Sequence, residues 1–273
     1  MFLRSRLILL LFVASVFVII VSHGPRRASY QAEWGAKRVE KAEPTEQQEQ
    51  LLRAIRDLGG IAFDGRIPTI LSFDEEDSNG QSCVRVENTP DEAVFSVVLR
   101  EWIDMDEILP YMIGLGRVEY LSISGVGLTD EHLRHIGGLR SLRLLQLTDT
   151  TVTNEGFAHL RGLCNLEALS LGDTSVSEQA LKHLQQMPLL KGLFLKGMKV
   201  TNKGLGPISE LTDLMALTLR GSLVTDHGLK QLAALSNLRA LDLCDTQVTE
   251  VGVAYLQEAL PMCKITYGMP CDP

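Results

Sequence analysis

VTNEGFAHLRGLCNLEALSLGDTS, residues 152–175, comes back with changes and without a gap. VSEQALKHLQQMPLLKGLFLKGMK follows at 176–199, VTNKGLGPISELTDLMALTLRGSL at 200–223 and VTDHGLKQLAALSNLRALDLCDTQ at 224–247. One copy precedes it, LTDEHLRHIGGLRSLRLLQLTDTT at 128–151. The period is 24 residues each time. A fixed period of this size marks a solenoid, in which each unit contacts only its neighbours.

One unit carries a ladder of apolar residues: Val152, Phe157, Leu160, Leu163, Leu166, Leu169 and Leu171. Phe157, Leu160 and Leu163 recur every third residue, one face of a short helix. Leu169 and Leu171 alternate with Ala168 and Ser170, the period of a strand with one buried face. Thr153 and Asn154 stand where side-chain oxygens cap a helix, and Gly172-Asp173-Thr174 reads as a turn. The unit is therefore strand, turn, short helix and return loop. It cannot bury its apolar side alone. Stacked copies give a parallel sheet with a continuous core between strands and helices.

The Leu166-x-x-Leu169-x-Leu171 and Leu238-x-x-Leu241-x-Leu243 segments resemble leucine-rich repeats. The openings Val200-Thr201-Asn202-Lys203-Gly204-Leu205 and Val224-Thr225-Asp226-His227-Gly228-Leu229 resemble the ribonuclease-inhibitor-like class, especially its cysteine-containing variety. The resemblance covers residues 104–273. It implies an α/β, right-handed leucine-rich-repeat solenoid with its parallel sheet on the concave face. Bacterial membrane-anchored proteins with this repeat type are the nearer likeness. Two departures stand out. The Asn common after the strand is here mostly Thr or Ser (Thr150, Thr174, Ser222, Thr246). No F-box, which eukaryotic relatives use to recruit ubiquitin ligases, precedes the repeats.

Composition allows one domain plus an anchor. The chain has 273 residues, 45% of them hydrophobic, and a net charge of -8. Residues 1–43 hold seven Lys/Arg and three Asp/Glu, a net +4, which leaves -12 for the rest. That acidic balance argues against nucleic acid, whose phosphates demand a basic footprint. Residues 7–21, LILLLFVASVFVIIV, which start at Leu7 and end at Val21, form an uncharged membrane-targeting segment. It is shorter than the about 20 residues a spanning helix prefers. Small-x-small cleavage pairs are poor after it, so residues 1–22 read as an uncleaved signal anchor, with a cleaved signal peptide as the alternative. Basic residues on both sides (Arg4, Arg6; Arg26, Arg27) leave orientation open. A secretory-type anchor places the bulk of the chain outside the cytoplasm, in the periplasm or at the cell surface.

Residues 23–45 read as a stalk. Residues 46–103 read as an N-terminal α+β cap for the solenoid. In it, 46–58 form a helix capped by Thr45 and ended by Gly59-Gly60, with Leu51, Leu52, Ile55 and Leu58 on one face. Residues 61–63, 68–73 and 93–99 read as strands, and 74–82 as an acidic loop. The repeat domain, 104–273, opens with a degenerate unit and ends in a cap after the strand at 264–267.

No metal site, cofactor site or catalytic motif emerges. His135, His159 and His183 recur at one repeat position. Neighbouring helices lie about 8–10 Å apart, too far for adjacent rings to share an ion easily. No zinc spacing, nucleophile elbow or phosphate loop is present. Cys263 and Cys271 lie eight residues apart and read as free, half-buried thiols, with a disulfide stapling the end of the chain in an oxidising compartment as the alternative. The outward residues of the strands remain. Phe194 stands among small neighbours and is flanked by Lys196 and Arg220, with Tyr120, Gln146 and Asp242 at the margins. Aromatic and Arg side chains commonly anchor interfaces. These six are the candidate contact set for a protein partner. The expected function is a membrane-anchored, non-catalytic protein-interaction module. The competing reading is a substrate receptor in an F-box-like degradation pathway, disfavoured by the missing F-box.

Overall fold

The computed structural model describes residues 44–58, 60–64, 95–99, 104–125 and 127–268. All of them lie in one compact unit, 43–67 with 92–273. The targeting segment, the stalk up to residue 43, the strand expected at 68–73 and the acidic loop lie outside the described residues.

Among the described residues nine strands form one sheet in chain order: β1 Ile61–Asp64, β2 Phe95–Leu99, β3 Val118–Ser124, β4 Leu144–Thr148, β5 Ala168–Ser170, β6 Gly192–Phe194, β7 Ala216–Thr218, β8 Ala240–Cys244 and β9 Lys264–Gly268. β1 pairs antiparallel with β2, and every later pair is parallel. The register repeats the sequence period. Leu121, Leu145, Leu169, Leu193, Leu217 and Leu241 lie side by side, each at most 1% exposed. A second inward row, Ile123, Leu147, Leu171, Leu195, Leu219 and Leu243, is wholly buried. From the helix side Leu133, Phe157, Leu181, Leu205 and Leu229 close the same core.

The helical segments are short. They are α1 Glu46–Asp57, α2 Met105–Gly114, α3 Asp130–Ile136, α4 Asn154–Phe157, α5 Leu205–Ser209, α6 Asp226–Leu232 and α7 Glu250–Ala259. Residues Ala158–Gly162 and Glu178–Gln186 are 3-10 helix. With so few residues between strand and return loop, each repeat has room for one or two helical turns.

Thr45 and Gln48 cap α1 reciprocally, the Thr hydroxyl accepting from Gln48 N–H at 3.2 Å and Gln48 Oε1 from Thr45 N–H at 2.9 Å. Gln48 also reaches the Leu115 carbonyl, tying α1 to the end of α2. Leu52 and Ile55 are buried, and Leu51 and Leu58 pack against the core from its edge.

The V-T-[DN] opening turns out to be a bond between repeats. Asp130 accepts from Thr153 N–H at 2.8 Å and from its hydroxyl at 2.6 Å. Asn154 accepts from Ser177 N–H and donates to its hydroxyl, both at 2.8 Å. Glu178 accepts from Thr201, Asn202 pairs with Thr225, and Asp226 accepts from Thr249. These rungs satisfy backbone N–H groups at helix starts that would otherwise lack partners. They also explain the glycine two residues after the D/N position. A Cβ on Gly156, Gly228 or Gly252 would collide with the Asp130, Asn202 or Asp226 side chain of the preceding repeat. Ala180 stands at that place in the repeat whose helix is 3-10 from Glu178 to Gln186. His132 stands there in α3. Its Nδ1 accepts from Thr129 N–H at 2.9 Å and its Nε2 meets Asp106 Oδ1 at 3.0 Å, so the ring itself forms the first rung.

The turn after each of the strands β3 to β8 is left-handed. Gly125, Asp149, Asp173, Gly197, Gly221 and Asp245 all have positive φ at successive 24-residue intervals. Gly and Asp tolerate this region, where a Cβ crowds the following carbonyl in bulkier residues. In place of an Asn ladder, Thr174 and Thr246 hydroxyls donate to Leu171 and Leu243 carbonyls, while Thr150 and Ser222 hydroxyls are buried without a partner.

The last repeat slips by one residue. The 24-residue spacing would put Met262 where Leu238 sits. Met262 is instead 67% exposed and Cys263 enters the core. The longer α7 takes up the shift, burying Leu260 in the place expected of residue 259, and β9 returns to phase with Ala240 facing Lys264.

Candidate functional site

The outward side of the sheet carries the candidate contact residues in three rows. Tyr120, Leu144, Ala168, Gly192, Ala216, Ala240 and Lys264 form one, by direct pairing. Ser122, Gln146, Ser170, Phe194, Thr218, Asp242 and Thr266 form the next. Lys196 and Arg220 follow where β6 and β7 end, held to their neighbours by Gly197 N–H to the Arg220 carbonyl and Gly221 N–H to the Cys244 carbonyl.

The register thus brings Phe194, Lys196, Arg220 and Asp242 onto adjacent strands, with Gln146 and Tyr120 several strands away. Their accessibility differs sharply. Lys196 is exposed; Gln146, Arg220 and Asp242 are half-buried; Phe194 and Tyr120 are 8% and 5% exposed. Phe194 does not stand out as a free aromatic. Its ring lies back over Gly192, where a Cβ would sit 3.1 Å from the ring edge, so the glycine supplies the space the ring fills.

Arg220 joins β7 to β8. Its Nε lies 3.7 Å from Asp242 Oδ2 and 3.9 Å from Asp245 Oδ2. The other Asp242 oxygen accepts from Cys244 N–H at 2.9 Å, which fixes the carboxylate. Gln146 donates to the Thr148 hydroxyl at 3.4 Å. This arrangement offers hydrogen bonds and two exposed ammonium groups, Lys196 and, on the last strand, Lys264. Among the described residues no group of three or more His, Cys, Asp or Glu is placed to hold a metal ion.

A charge column at the strand entrances escaped the sequence reading. Arg117, Glu119, Arg143, Glu167 and Lys191 alternate in sign. Arg117 Nε is 3.0 Å from Glu119 Oε1, Arg143 Nε 2.6 Å from Glu167 Oε1, and Lys191 Nζ 3.4 Å from Glu167 Oε2. Glu119 is 6% exposed, and burying it requires these cations. The signal was legible as opposite charges at a spacing of 24 for 119, 143, 167 and 191.

Of the two readings of Cys263, a free thiol or half of a bridge with Cys271, the structure has the free thiol. The one-residue slip turns it inward, and burial pushes its pKa up to about 11 against a smaller opposing effect of Arg239. Cys271 lies outside the described residues. Cys244 is disulfide-bonded, with a partner outside the described residues, and Cys164 is a free, exposed thiol. His135 and His159 are exposed on the helix side and His183 is half-buried there, and no ion site joins them.

No family model matches the chain, and no curated protein matches it. Among solved structures it is similar to an internalin from Listeria monocytogenes, at 24% identity over 63% of this chain and 46% of that one, with a TM-score of 0.48. A leucine-rich-repeat protein of Leptospira interrogans is 22% identical over 57% of this chain and 38% of that one, with a TM-score of 0.46. Internalin C2 of Listeria monocytogenes is 24% identical over 63% of this chain and 80% of that one, also with a TM-score of 0.46. The chain thus spans under half the length of the first two. The fold is defined by its own geometry: parallel strands at every LxxLxL segment, their leucines stacked inward at a constant 24-residue spacing. It is a leucine-rich-repeat solenoid.

Proposed function

We propose that this chain is a non-catalytic protein-interaction module, held at a membrane by residues 7–21, that engages a protein partner on the outward face of its sheet. The observation that carries the reading is the juxtaposition of the exposed Lys196 with the Arg220–Asp242 pair on adjacent strands. A rigid sheet presents these groups at fixed spacing, which gives a partner orientation-specific charged contacts at little ordering cost. Tyr120, Gln146 and Phe194 supply the surrounding surface rather than protruding anchors. Among the described residues no helix is long and apolar enough to cross a membrane. Anchoring therefore rests on the sequence of residues 7–21.

The test is site-specific photo-crosslinking in membranes that contain the full chain. A photoreactive residue at 218 is expected to capture one discrete protein, and Lys196→Glu to abolish the capture. The same probe at 230, on the helix side, is expected to capture nothing. Equal capture from 218 and 230, or capture that survives Lys196→Glu, would overturn the assignment. Protease treatment of intact cells checks the anchor. Membrane-bound repeats degraded from outside support it, and protected repeats exclude an extracytoplasmic module.

A further inference from the structure

A second charged surface lies on the opposite side of the solenoid. Arg134 and His135 come from α3, His159 and Arg161 from the 3-10 turn Ala158–Gly162, and Lys182 and His183 from the 3-10 helix Glu178–Gln186. These three segments occupy the same place in three consecutive repeats. They pack so closely that a Cβ on Gly137 would collide with the His159 carbonyl. Arg134, His135, Arg140, His159, Arg161 and Lys182 are all exposed.

Four carboxylates sit on these segments and on α4. Asp130 and Glu178 are taken up in the rungs to Thr153 and Thr201. Glu131 is bound by Arg134, whose hydrogen bond holds the Glu131 carboxyl below its usual range. Glu155 is exposed on α4. Four permanent cations, Arg134, Arg140, Arg161 and Lys182, share the surface. Arg161 and Lys182 have no carboxylate partner among the described residues, and both act on the His183 ring between them.

We propose that this helix-side surface over three consecutive repeats, centred on Arg161 and Lys182, docks a short acidic polypeptide segment. Clusters of cationic side chains are a recurring way to recognise acidic motifs. The borders of the patch select the occupant. The exposed Asp106 and Glu107 lie on its N-terminal side and the exposed Glu210 and Asp213 on its C-terminal side. A flat anionic bilayer or a long nucleic acid would meet those carboxylates as well as the cations. A short segment fits between them. This surface is distinct from the outward face of the sheet, and its occupation is independent of the reading given above.

The test uses the full chain in a non-ionic detergent and a fluorescent acidic peptide of about ten Asp and Glu residues. Anisotropy is expected to show saturable binding that a Gln peptide of equal length lacks. Raising the salt from roughly 50 to 300 mM is expected to weaken it, because exposed charges are screened over that range. The double reversal Arg161→Glu with Lys182→Glu is expected to cut affinity at least about fivefold. Lys196→Glu, on the other face, is expected to leave it unchanged. Circular dichroism of each variant separates lost binding from lost folding, and Arg161→Gln with Lys182→Gln repeats the test if the reversal unfolds. Binding no better than the Gln peptide, or binding that a correctly folded double variant retains, overturns the proposal. So does a stronger response to anionic vesicles than to the peptide, when the reversal removes it.

Discussion

Asp226 holds Thr249 of the next repeat by two bonds, 2.8 Å to its N–H and 2.7 Å to its hydroxyl. The same carboxylate occupies the space a Cβ on Gly252 would need. Rung and glycine are therefore one device. Asp226→Ala is expected to cost about 1–2 kcal/mol by leaving a helix-start N–H uncapped. Gly252→Ala is expected to cost about 1–3 kcal/mol by displacing the carboxylate. In the double variant the Ala at 252 meets no carboxylate, so the two losses are expected not to add. Denaturation of the four proteins as a double-mutant cycle measures the coupling, and strict additivity would refute the shared origin.

Asp173 is held at φ 52° in the turn after β5. A β-branched residue there pays for the left-handed backbone that Asp tolerates. Asp173→Val is expected to lower stability by about 1–2 kcal/mol, and Asp173→Gly to be close to neutral. Urea midpoints of the two variants check the ordering.

Leu193 sits at the middle of the inward row and is wholly buried. Leu193→Ala removes methyl groups from a packed site flanked by leucines on both neighbouring strands. The expected loss is about 2–5 kcal/mol. Thermal melts of the full chain report it.

The two free thiols among the described residues are expected to behave differently. Cys164 is exposed, whereas Cys263 is buried with its pKa pushed up to about 11. At pH 8 and without reductant, a thiol reagent is expected to label Cys164 promptly and Cys263 only after denaturation. Peptide mass mapping of the labelled chain distinguishes them. Rapid labelling of Cys263 in the folded protein would place it outside the core.

His183 is held below its ordinary value, first by burial and then by Lys182 and Arg161. The sign follows. The unfolded chain takes up this proton at a higher pH than the folded one, so His183 favours folding above about 6.5, the ordinary value for His. That contribution declines as the pH falls from there through the lower folded value. Proton NMR titration is expected to place the His183 midpoint below that of free histidine, and Lys182→Gln to raise it.

The leucine rows and the positive-φ turns were legible because both follow from local spacing: an apolar residue at every LxxLxL position, and Gly or Asp just after it. The Asp130–Thr153 rung was half legible. Its motif was visible, but its partner lies in the next repeat, and only stacking reveals that the Gly belongs to the same contact. Phe194 was misjudged as a protruding anchor because the direction of its ring depends on the empty space at Gly192 across a one-residue gap. The depth of Cys263 was hidden because the last loop slips by one residue, which a strict period conceals. The charge column from Arg117 to Lys191 was available at constant spacing, but it alternates in sign, and a search for like residues passes over it.

From Asp130 to Asp226 the rungs also alternate, and this has a consequence for how such a chain can grow. Asp130, Asn154, Glu178, Asn202 and Asp226 place a neutral amide between every two acids of this inner run, whereas Asp106 of the His132 rung adjoins Asp130 directly. Removing one inner repeat would set two carboxylates in adjacent rungs, or two amides. Adding or removing inner repeats in pairs would preserve the order. For the inner repeats the unit of change in length that keeps this order is therefore two repeats, twice the unit the leucines define.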